Sequence, residues 1–341
     1  MIDKRTVFIL GAGASSDFGY PLGKQLKNII LSIVKKAIDY NKRNDNIVAR
    51  SGNVIPEHED IYSSEKNICS FLLRNCSFDN THLDEFYEAF SNTSRYSIDA
   101  FLEHRKEFSD LGKVLITMSI LHYEIKDKLV SEEQNWYKYL LNKINYSWES
   151  FDENKISFIT YNYDRSLEYY IINDLIATYG KQWEEAVEKA KNIPILHLHG
   201  RVADIPYGKG MEYKPYDSKS IKSYHVKGAY KGLSIITEDI EATGIYKEAY
   251  KLMRGAEQIF ILGFGFDERN LKRLKLQDFR NTPIYATRTG ISDLSVKEIN
   301  RTTKNVIEFS KNENYGIIDF FEREVSLSGY VGQGIRNRSI R

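Results

Sequence analysis

The 341-residue sequence predicts an α/β fold in which a doubly wound parallel sheet carries an inserted all-helical lobe. Residues 5–12 form an apolar run without polar alternation, which is typical of a strand buried on both faces of a parallel sheet. Similar runs return after residue 150 and alternate with helix-like intervals, as in βαβ units. Residues 68–148 have helical periodicity with almost no glycine or proline, which indicates the insertion.

Each predicted element follows from its local pattern. Apolar residues at three- and four-residue spacing predict a helix over residues 22–40, so strand, glycine turn and helix follow in the order of a Rossmann-like core. The polar residues 41–67 are predicted to form a surface loop, and residues 204–232 an irregular flap next to His199. The five later strands are expected at Lys155–Tyr161, Ile193–His197, Leu233–Thr237, Gln258–Leu262 and Pro283–Ala286.

The chain is therefore expected to have three parts. Residues 1–40 and 150–325 form the core, residues 41–149 a loop plus the inserted helical lobe, and residues 326–341 a basic Gly/Arg tail. Within the lobe, Ser97 precedes the run Ile98-Asp99-Ala100-Phe101 and is predicted to cap a helix.

Composition argues against several classes of function. A net charge of +1 gives no whole-molecule attraction to nucleic acid or to an anionic membrane, so direct binding to either is not expected. The two cysteines, Cys69 and Cys76, do not complete a four-cysteine zinc site, and no metal is expected. With few thiols and no apolar run of membrane-spanning length, the sequence predicts a cytoplasmic protein.

A glycine turn follows the first strand and comprises Gly11, Ala12, Gly13, Ala14 and Ser15. Backbone N–H groups in such a turn and the positive end of the next helix can face a diphosphate, which larger side chains would exclude. Ser16 stands where a dehydrogenase fingerprint has its third glycine, and no strand ending in an acidic residue follows the helix. The turn therefore predicts nucleotide binding without hydride transfer, and the alternative is a turn needed only for packing.

Polar residues follow two predicted strands at their carboxyl ends, where ligands bind in such sheets. Asn162 can hold a ribose hydroxyl or a water, whereas Asp164 either contacts the sugar or forms an Asx turn that caps the next helix. His199 is the candidate general base, because imidazole titrates near neutral pH. His197 is expected to be a hydrogen-bonded core histidine.

A second glycine turn, with Gly263 and Gly265, follows the strand over residues 258–262. Two such turns from different strands can line the two sides of one extended nucleotide, and a tight turn without a ligand is the alternative. Arg288, after the last predicted strand, either contacts phosphate or adenosine or is solvated.

Three segments, in this order, resemble the sirtuin superfamily: Gly11-Ala-Gly13-Ala-Ser15 with the following Gly19-Tyr-Pro21, Thr160-Tyr-Asn162-Tyr-Asp164, and His199-Gly200. The match covers about residues 5–23, 155–200 and 256–290 and leaves the lobe unmatched. The chain lacks the four zinc-binding cysteines that deacetylating sirtuins carry after the His-Gly pair. Its helical insert, the spacing from Asn162 to Glu168 and the Ser97-Ile-Asp99-x-Phe-Leu segment are instead similar to the bacterial sirtuin-like NADases of antiphage defence.

The resemblance implies an NAD glycohydrolase that cleaves NAD to nicotinamide and ADP-ribose without a metal. Such cleavage through an oxocarbenium-like state requires that the enzyme bind the diphosphate, orient the ribose and present water. Asn162 and His199 are then the catalytic residues. Gly11 and Gly13 are expected at the diphosphate, and Asp164, Asp17 and Ser15 on the ribose side.

The resemblance also implies NAD depletion during infection, controlled by homo-oligomerisation or by a partner such as a HerA-type ATPase or an Argonaute-like protein. Two alternatives remain open. One is an NAD-dependent protein deacylase, which the missing zinc module disfavours. The other is a module that senses NAD or ADP-ribose without turnover.

Overall fold

Six parallel strands form a single sheet in the order β3-β2-β1-β4-β5-β6. The computed structural model describes residues 2–44, 48, 53–131, 135–144, 147–204, 214–234 and 244–327. The strands are β1 Thr6–Leu10, β2 Ile156–Thr160, β3 Ile195–His197, β4 Gln258–Leu262, β5 Ile284–Ala286 and β6 Ile307–Phe309. This strand order is that of a Rossmann-like doubly wound sheet, and the predicted α/β class is confirmed.

Helices connect the strands and build the insert between β1 and β2. The helices of the insert and its approach are α1 Gly13–Ser16, α2 Gly23–Arg43, α3 Glu65–Ser70, α4 Asn80–Asn92, α5 Ile98–Leu102, α6 Ser109–His122, α7 Lys126–Ser131 and α8 Trp136–Ile144. The later helices are α9 Ser166–Tyr179, α10 Trp183–Ala190, α11 Ser223–Ala229, α12 Gly244–Gly255, α13 Glu268–Leu274, α14 Asp293–Thr302 and α15 Ile317–Arg323. Among the described residues, no helix combines the length and apolar character that crossing a membrane requires.

The sheet is buried on both faces, as the apolar strand sequences predict. In β1, Phe8 and Leu10 belong to one apolar core and Val7 and Ile9 to another, because successive side chains of a strand point to opposite faces. Phe8 stacks between aromatic rings of β2 and β4, with ring centroids 5.1 Å and 5.5 Å away. The first core continues without interruption into the helical lobe.

The lobe is fixed to the sheet by hydrogen bonds as well as by apolar packing. Trp136 of α8 donates its indole N–H to the Ala14 carbonyl in the first glycine turn at 2.7 Å. Arg165, which precedes α9, donates to both carboxylate oxygens of Glu124 at 2.7 Å and 3.0 Å. The side chains of Arg165 and Glu124 are almost fully buried, so the lobe cannot shift without separating a desolvated ion pair.

The register aligns the strand ends that carry the sequence motifs. Leu10 of β1 lies beside both Thr160 of β2 and Leu262 of β4, and Thr160 lies beside His197 of β3. Because the chain passes from β1 outward to β3 and then returns to β4 on the other side, the switch point lies between β1 and β4. Parallel sheets bind ligands at the carboxyl ends of such strands.

Several element boundaries differ from those predicted. The expected loop over residues 41–67 contains the start of α3, because the Ser64 hydroxyl accepts the Asn67 N–H at 3.1 Å and caps a helix there. The expected irregular flap contains α11, and its Gly232 carbonyl accepts the N–H of Arg201, two residues after His199, at 3.3 Å. The tail from residue 328 lies outside the described residues.

Two strand predictions also differ. Leu233 forms an isolated antiparallel bridge with Gly200 in place of a sheet strand, and residues 235–237 of that predicted strand lie outside the described part of the chain. The sixth strand of the sheet is β6, a three-residue edge strand that the sequence analysis missed.

A backbone contact joins the turns after β1 and β4 across the switch point. The Gly13 N–H donates to the Gly263 carbonyl at 2.8 Å, and the Gly11 N–H donates to the Leu262 carbonyl at 3.0 Å. Gly263 has φ +57°, and a Cβ atom there would lie 2.0 Å from the Ala14 nitrogen. Gly263 is therefore required both by its backbone conformation and by the approach of the first turn.

Replacement of Gly263 is expected to destabilise the fold. Gly263→Ala places a methyl group against backbone in the left-handed region, and we expect a loss of more than about 3 kcal/mol in the free energy of unfolding. Gly265→Ala is the matched control, since a Cβ there meets nothing within 4 Å, and a change below about 1 kcal/mol is expected. Urea unfolding measures both, and equal stability of the two variants would contradict the contact.

Candidate functional site

A cavity of about 530 Å³ opens at the carboxyl ends of β1, β2 and β4, next to the switch point. Most of the predicted site residues line this cavity, namely Gly11, Ala12, Ser15, Asn162, Asp164, His199 and Gly265. Gly13, Asp17 and Gly263 are not among its lining residues. The structure thus brings together residues from four separate sequence motifs.

Asn162 is held in a fixed orientation beneath the first glycine turn. Its side-chain nitrogen donates to the Gly11 carbonyl and to the Ser15 hydroxyl, both at 3.0 Å. The side-chain oxygen accepts no hydrogen bond from a described residue. Because both amide protons are used by the protein, the oxygen is the group that Asn162 presents to a ligand hydroxyl or to a water.

His199 lies in the turn after β3, with its ring between two tyrosines. The ring centroid is 5.2 Å from that of Tyr161 and 5.9 Å from that of Tyr163. The side chain is 5% exposed, and neither ring nitrogen has a hydrogen-bond partner among the described residues. A buried imidazole whose Nε2 has neither a hydrogen-bond partner nor an ion pair is rare in a purely structural role, because burial removes that nitrogen from water without compensation.

Asp99 of α5 is the charged group nearest to that imidazole. Its Oδ1 lies 3.2 Å from His199 Nδ1, which is an electrostatic contact. The Tyr163 hydroxyl donates to the same oxygen. Burial raises the pKa of Asp99, but the nearby His199 and the hydrogen bond from Tyr163 outweigh burial and lower it. Asp99 is therefore a carboxylate held next to His199.

Asp164 both forms an Asx turn and faces the cavity. Its Oδ1 accepts the Ser166 N–H at 3.0 Å and also the Ser166 hydroxyl hydrogen. Tyr137 of the lobe shares a hydrogen bond of 2.8 Å with Ser166. Burial raises the pKa of Asp164 despite these hydrogen bonds and the nearby His197. The two alternatives for this residue are thus compatible.

His197 has the expected role of a hydrogen-bonded core histidine. Its Nδ1 lies 2.9 Å from the Asn162 carbonyl, and its Nε2 lies 2.7 Å from Glu168 Oε1. Arg201 also donates to Glu168, at 2.7 Å. Burial raises the pKa of Glu168, but His197 and Arg201 outweigh burial and lower it to about 2. This cluster supports the loop that carries Asn162.

The glycine turns serve chain packing more than phosphate binding. The Gly11 N–H donates to Leu262 at the end of β4 and the Gly13 N–H to Gly263 in the turn after it, so these two donors are not free for a diphosphate. The helix that starts at Gly13 has only four residues, which gives it little dipole. A Cβ at Gly200 would lie 2.1 Å from the Gly232 carbonyl, so that glycine admits the flap backbone and not a ligand.

Two other residues considered in the sequence analysis do not line the cavity. Asp17 is exposed at the end of α1 and is not among the lining residues. Arg288 is buried and donates to Asp293 and to the Lys311 carbonyl, at a separate surface depression. It is neither solvated nor near the site.

Several residues that line the cavity were not predicted as site residues. Among them, Asp99 lies in α5 of the lobe and Glu103 directly follows it, Arg269 and Arg273 lie on α13, and Tyr96 is 73% exposed. The sequence did contain a pattern that includes Asp99, since the Ser97-Ile-Asp99 segment was predicted to start a capped helix. Ser97 does cap α5, accepting the Ala100 N–H at 3.2 Å.

The described residues contain no group of three or more His, Cys, Asp or Glu side chains arranged to hold a metal ion. Cys69 and Cys76 are both unpaired thiols. No protein-family model matches the chain, and no curated protein does so either. The likeness to sirtuins therefore rests on the motifs.

Acid is expected to remove the stabilisation that Glu168 provides. Its carboxyl pKa is about 2 in the fold against an ordinary 4.5, so the stabilisation is complete above about pH 4.5 and disappears as the pH falls towards 2. Glu168→Gln should lower the free energy of unfolding by about 3 kcal/mol at pH 7, and this difference from the parent should shrink below pH 4.5.

Urea unfolding at a series of pH values between 7 and 3 measures the effect. The control is Glu188→Gln, at an exposed residue paired with Lys191, which should change stability by less than about 0.5 kcal/mol throughout. A Glu168→Gln difference that stays constant from pH 7 to pH 3 would contradict the assigned cause.

Proposed function

We propose that the protein is an NAD glycohydrolase that cleaves NAD to nicotinamide and ADP-ribose. One observation carries the proposal: Asn162 and His199, from neighbouring strand ends, line one buried cavity at the switch point of a Rossmann-like sheet. Dinucleotides bind at this position in such sheets. The motif resemblance to sirtuin-like NADases agrees with this position, and a volume of about 530 Å³ lies in the range of ligand pockets.

The reaction requires only water as a second reactant. The bond between the ribose anomeric carbon and the pyridinium nitrogen breaks, and its electron pair stays on nicotinamide, which leaves neutral. A water oxygen then bonds to the anomeric carbon and loses one proton. No acid is needed for the leaving group, whereas a positioned acceptor for that proton favours the attack.

The arrangement of the residues suits these steps. The Asn162 side-chain oxygen accepts a hydrogen bond from the water or from a ribose hydroxyl, because the amide nitrogen is already engaged. His199 receives the proton of the attacking water, and Asp99, whose Oδ1 lies 3.2 Å from Nδ1, positions the imidazole. The Asp164 carboxyl also lines the cavity, and in this proposal it contacts the ribose.

The central test is turnover of NAD by the purified chain. Asn162→Ala and His199→Ala should each lower kcat by at least about 100-fold, because each removes a group that acts on the attacking water. The matched controls are Asn192→Ala and His104→Ala, at exposed residues outside the cavity, which should keep the parental rate. Release of nicotinamide, followed by chromatography, is the measurement.

The same experiment separates the alternatives. ADP-ribose binding that persists in Asn162→Ala and His199→Ala, without any turnover by the parent, would favour the sensing module. Nicotinamide release that requires an acyl-lysine peptide would favour the deacylase. Melting temperatures of the variants show whether a lost rate reflects lost folding, which matters because Asn162 also bonds the Gly11 carbonyl.

Asp99 should act as a positioning residue. Asp99→Asn removes the charge beside His199 and should lower kcat for NAD about tenfold, while KM stays within about twofold. In the parent, ¹⁵N NMR of the imidazole should show the proton of His199 on Nδ1, which faces the carboxylate, and the variant should show a mixture of tautomers. The exposed Asp110→Asn is the control, and an unchanged tautomer would oppose this role.

The resemblance extends the proposal to NAD depletion in antiphage defence. On that view the chain is cytoplasmic and active as a homo-oligomer or together with a HerA-type ATPase or an Argonaute-like protein. Cellular NAD measured after phage infection, with and without Asn162→Ala, tests the role. A fall in NAD that is the same with the variant would exclude it.

A further inference from the structure

Two arginines on the cavity wall are bound to a carboxylate of the helical lobe. Arg269 and Arg273 lie four residues apart on α13, which follows the second glycine turn. Arg269 donates to Glu103 Oε2 at 2.9 Å, and Arg273 donates to Glu103 Oε1. All three residues line the same cavity as Asn162 and His199.

The charges around the cavity leave few cations for a diphosphate. Its charged lining residues are three arginines, Arg95, Arg269 and Arg273, and four acids, Asp99, Glu103, Asp164 and Asp267. Arg95 is exposed and belongs to the lobe. The N–H groups of Gly11 and Gly13 are already used in the backbone contact. The α13 arginines directly follow the second glycine turn and are the two cations of the lining that belong to the core.

We propose that Arg269 and Arg273 form the diphosphate subsite of the nucleotide and that Glu103 occupies this subsite until the nucleotide binds. The inference rests on the proposed function, because it names where the dinucleotide of that reaction is held. Two guanidinium groups one helical turn apart match two linked phosphates, and the planar fork of arginine suits phosphate oxygens. When the nucleotide binds, its diphosphate takes the place of the Glu103 carboxylate on the two arginines.

Accessibility and nearby donors agree with this assignment. The side chains of Arg269 and Arg273 are 28% and 20% exposed, so an anion entering the cavity reaches both. The N–H groups of Phe264 and Gly265, in the turn directly before α13, donate to no residue that the structure describes. They provide backbone donors beside the same subsite.

Affinity for the reaction product ADP-ribose, measured by calorimetry on the full chain, tests the inference. Arg269→Gln and Arg273→Gln should each weaken ADP-ribose binding by about 10- to 100-fold, because a charge-assisted hydrogen bond is lost. Glu103→Gln should instead tighten it by about five- to tenfold, since the competing carboxylate is removed. A gain of affinity on loss of a native ion pair is not expected of a structural contact.

Matched controls remove one charge nearby without touching the cavity. The first control is Lys272→Gln, because Lys272 lies on α13 between the two arginines and is exposed. The second is Glu107→Gln, because Glu107 lies four residues after Glu103 and pairs with Arg105 at the surface. Both should bind ADP-ribose within about twofold of the parent. Inorganic pyrophosphate should compete with ADP-ribose in the parent and lose this effect in Arg273→Gln, which gives a second readout if Glu103→Gln folds poorly.

The outcomes distinguish this inference from the proposed function. Arginine variants that bind ADP-ribose like the parent, or a Glu103→Gln variant with unchanged or weaker affinity, overturn the inference even if NAD is hydrolysed. The expected affinity changes without NAD hydrolysis support the subsite and reject the glycohydrolase. Absence of ADP-ribose binding by both the parent and Glu103→Gln overturns the subsite.

Discussion

The backbone contact between the turns after β1 and β4 is the constraint on which the site depends. It closes the switch point at its base, since the Gly13 N–H donates to the Gly263 carbonyl at 2.8 Å. Only glycine at position 263 permits this approach, because a Cβ would lie 2.0 Å from the Ala14 nitrogen. The contact also fixes the position of the Gly11 carbonyl, which accepts a hydrogen bond from the Asn162 amide. The orientation of that amide therefore depends on how the two turns pack together.

The same contact explains why side chains from elsewhere complete the cavity. Backbone donors of the first glycine turn are here used between strands. Two of the three arginines that line the cavity come from α13, and two of its four acids come from the lobe. Helix α5 has only five residues, yet Asp99 near its start meets His199 and Glu103 after its end meets Arg269. A shift of α5 would therefore alter the environment of the imidazole and of the arginines together.

The sequence predicted the sheet and its functional edge because these depend on local pattern. Apolar runs ending in Gly11, Asn162 and Gly263 predict strands, and parallel strands necessarily bring their carboxyl ends to one edge. The contribution of Asp99, Glu103 and Arg273 was not predictable in this way, because it depends on how the lobe docks. The three-residue β6 was missed since its periodicity is too short to distinguish from a loop. The expectation for Asp17 came from the resemblance alone, and the local pattern did not show that this residue is exposed.

Docking of the lobe is specified by charge as well as by apolar packing. Arg165 directly follows Asp164 and is fully buried, where it donates to Glu124 of the lobe and to the carbonyls of Asp204 and Lys214. Lys214 also donates to Glu124, at 3.1 Å. Such a buried ion pair contributes little net stability relative to apolar packing, but any misaligned arrangement leaves desolvated charges unpaired. The network thus disfavours other positions of the lobe more than it stabilises this one. Arg165 directly follows Asp164, which lines the cavity. The ion pair therefore fixes the position of the lobe close to the site, where the lobe carboxylates contact the imidazole and the arginines.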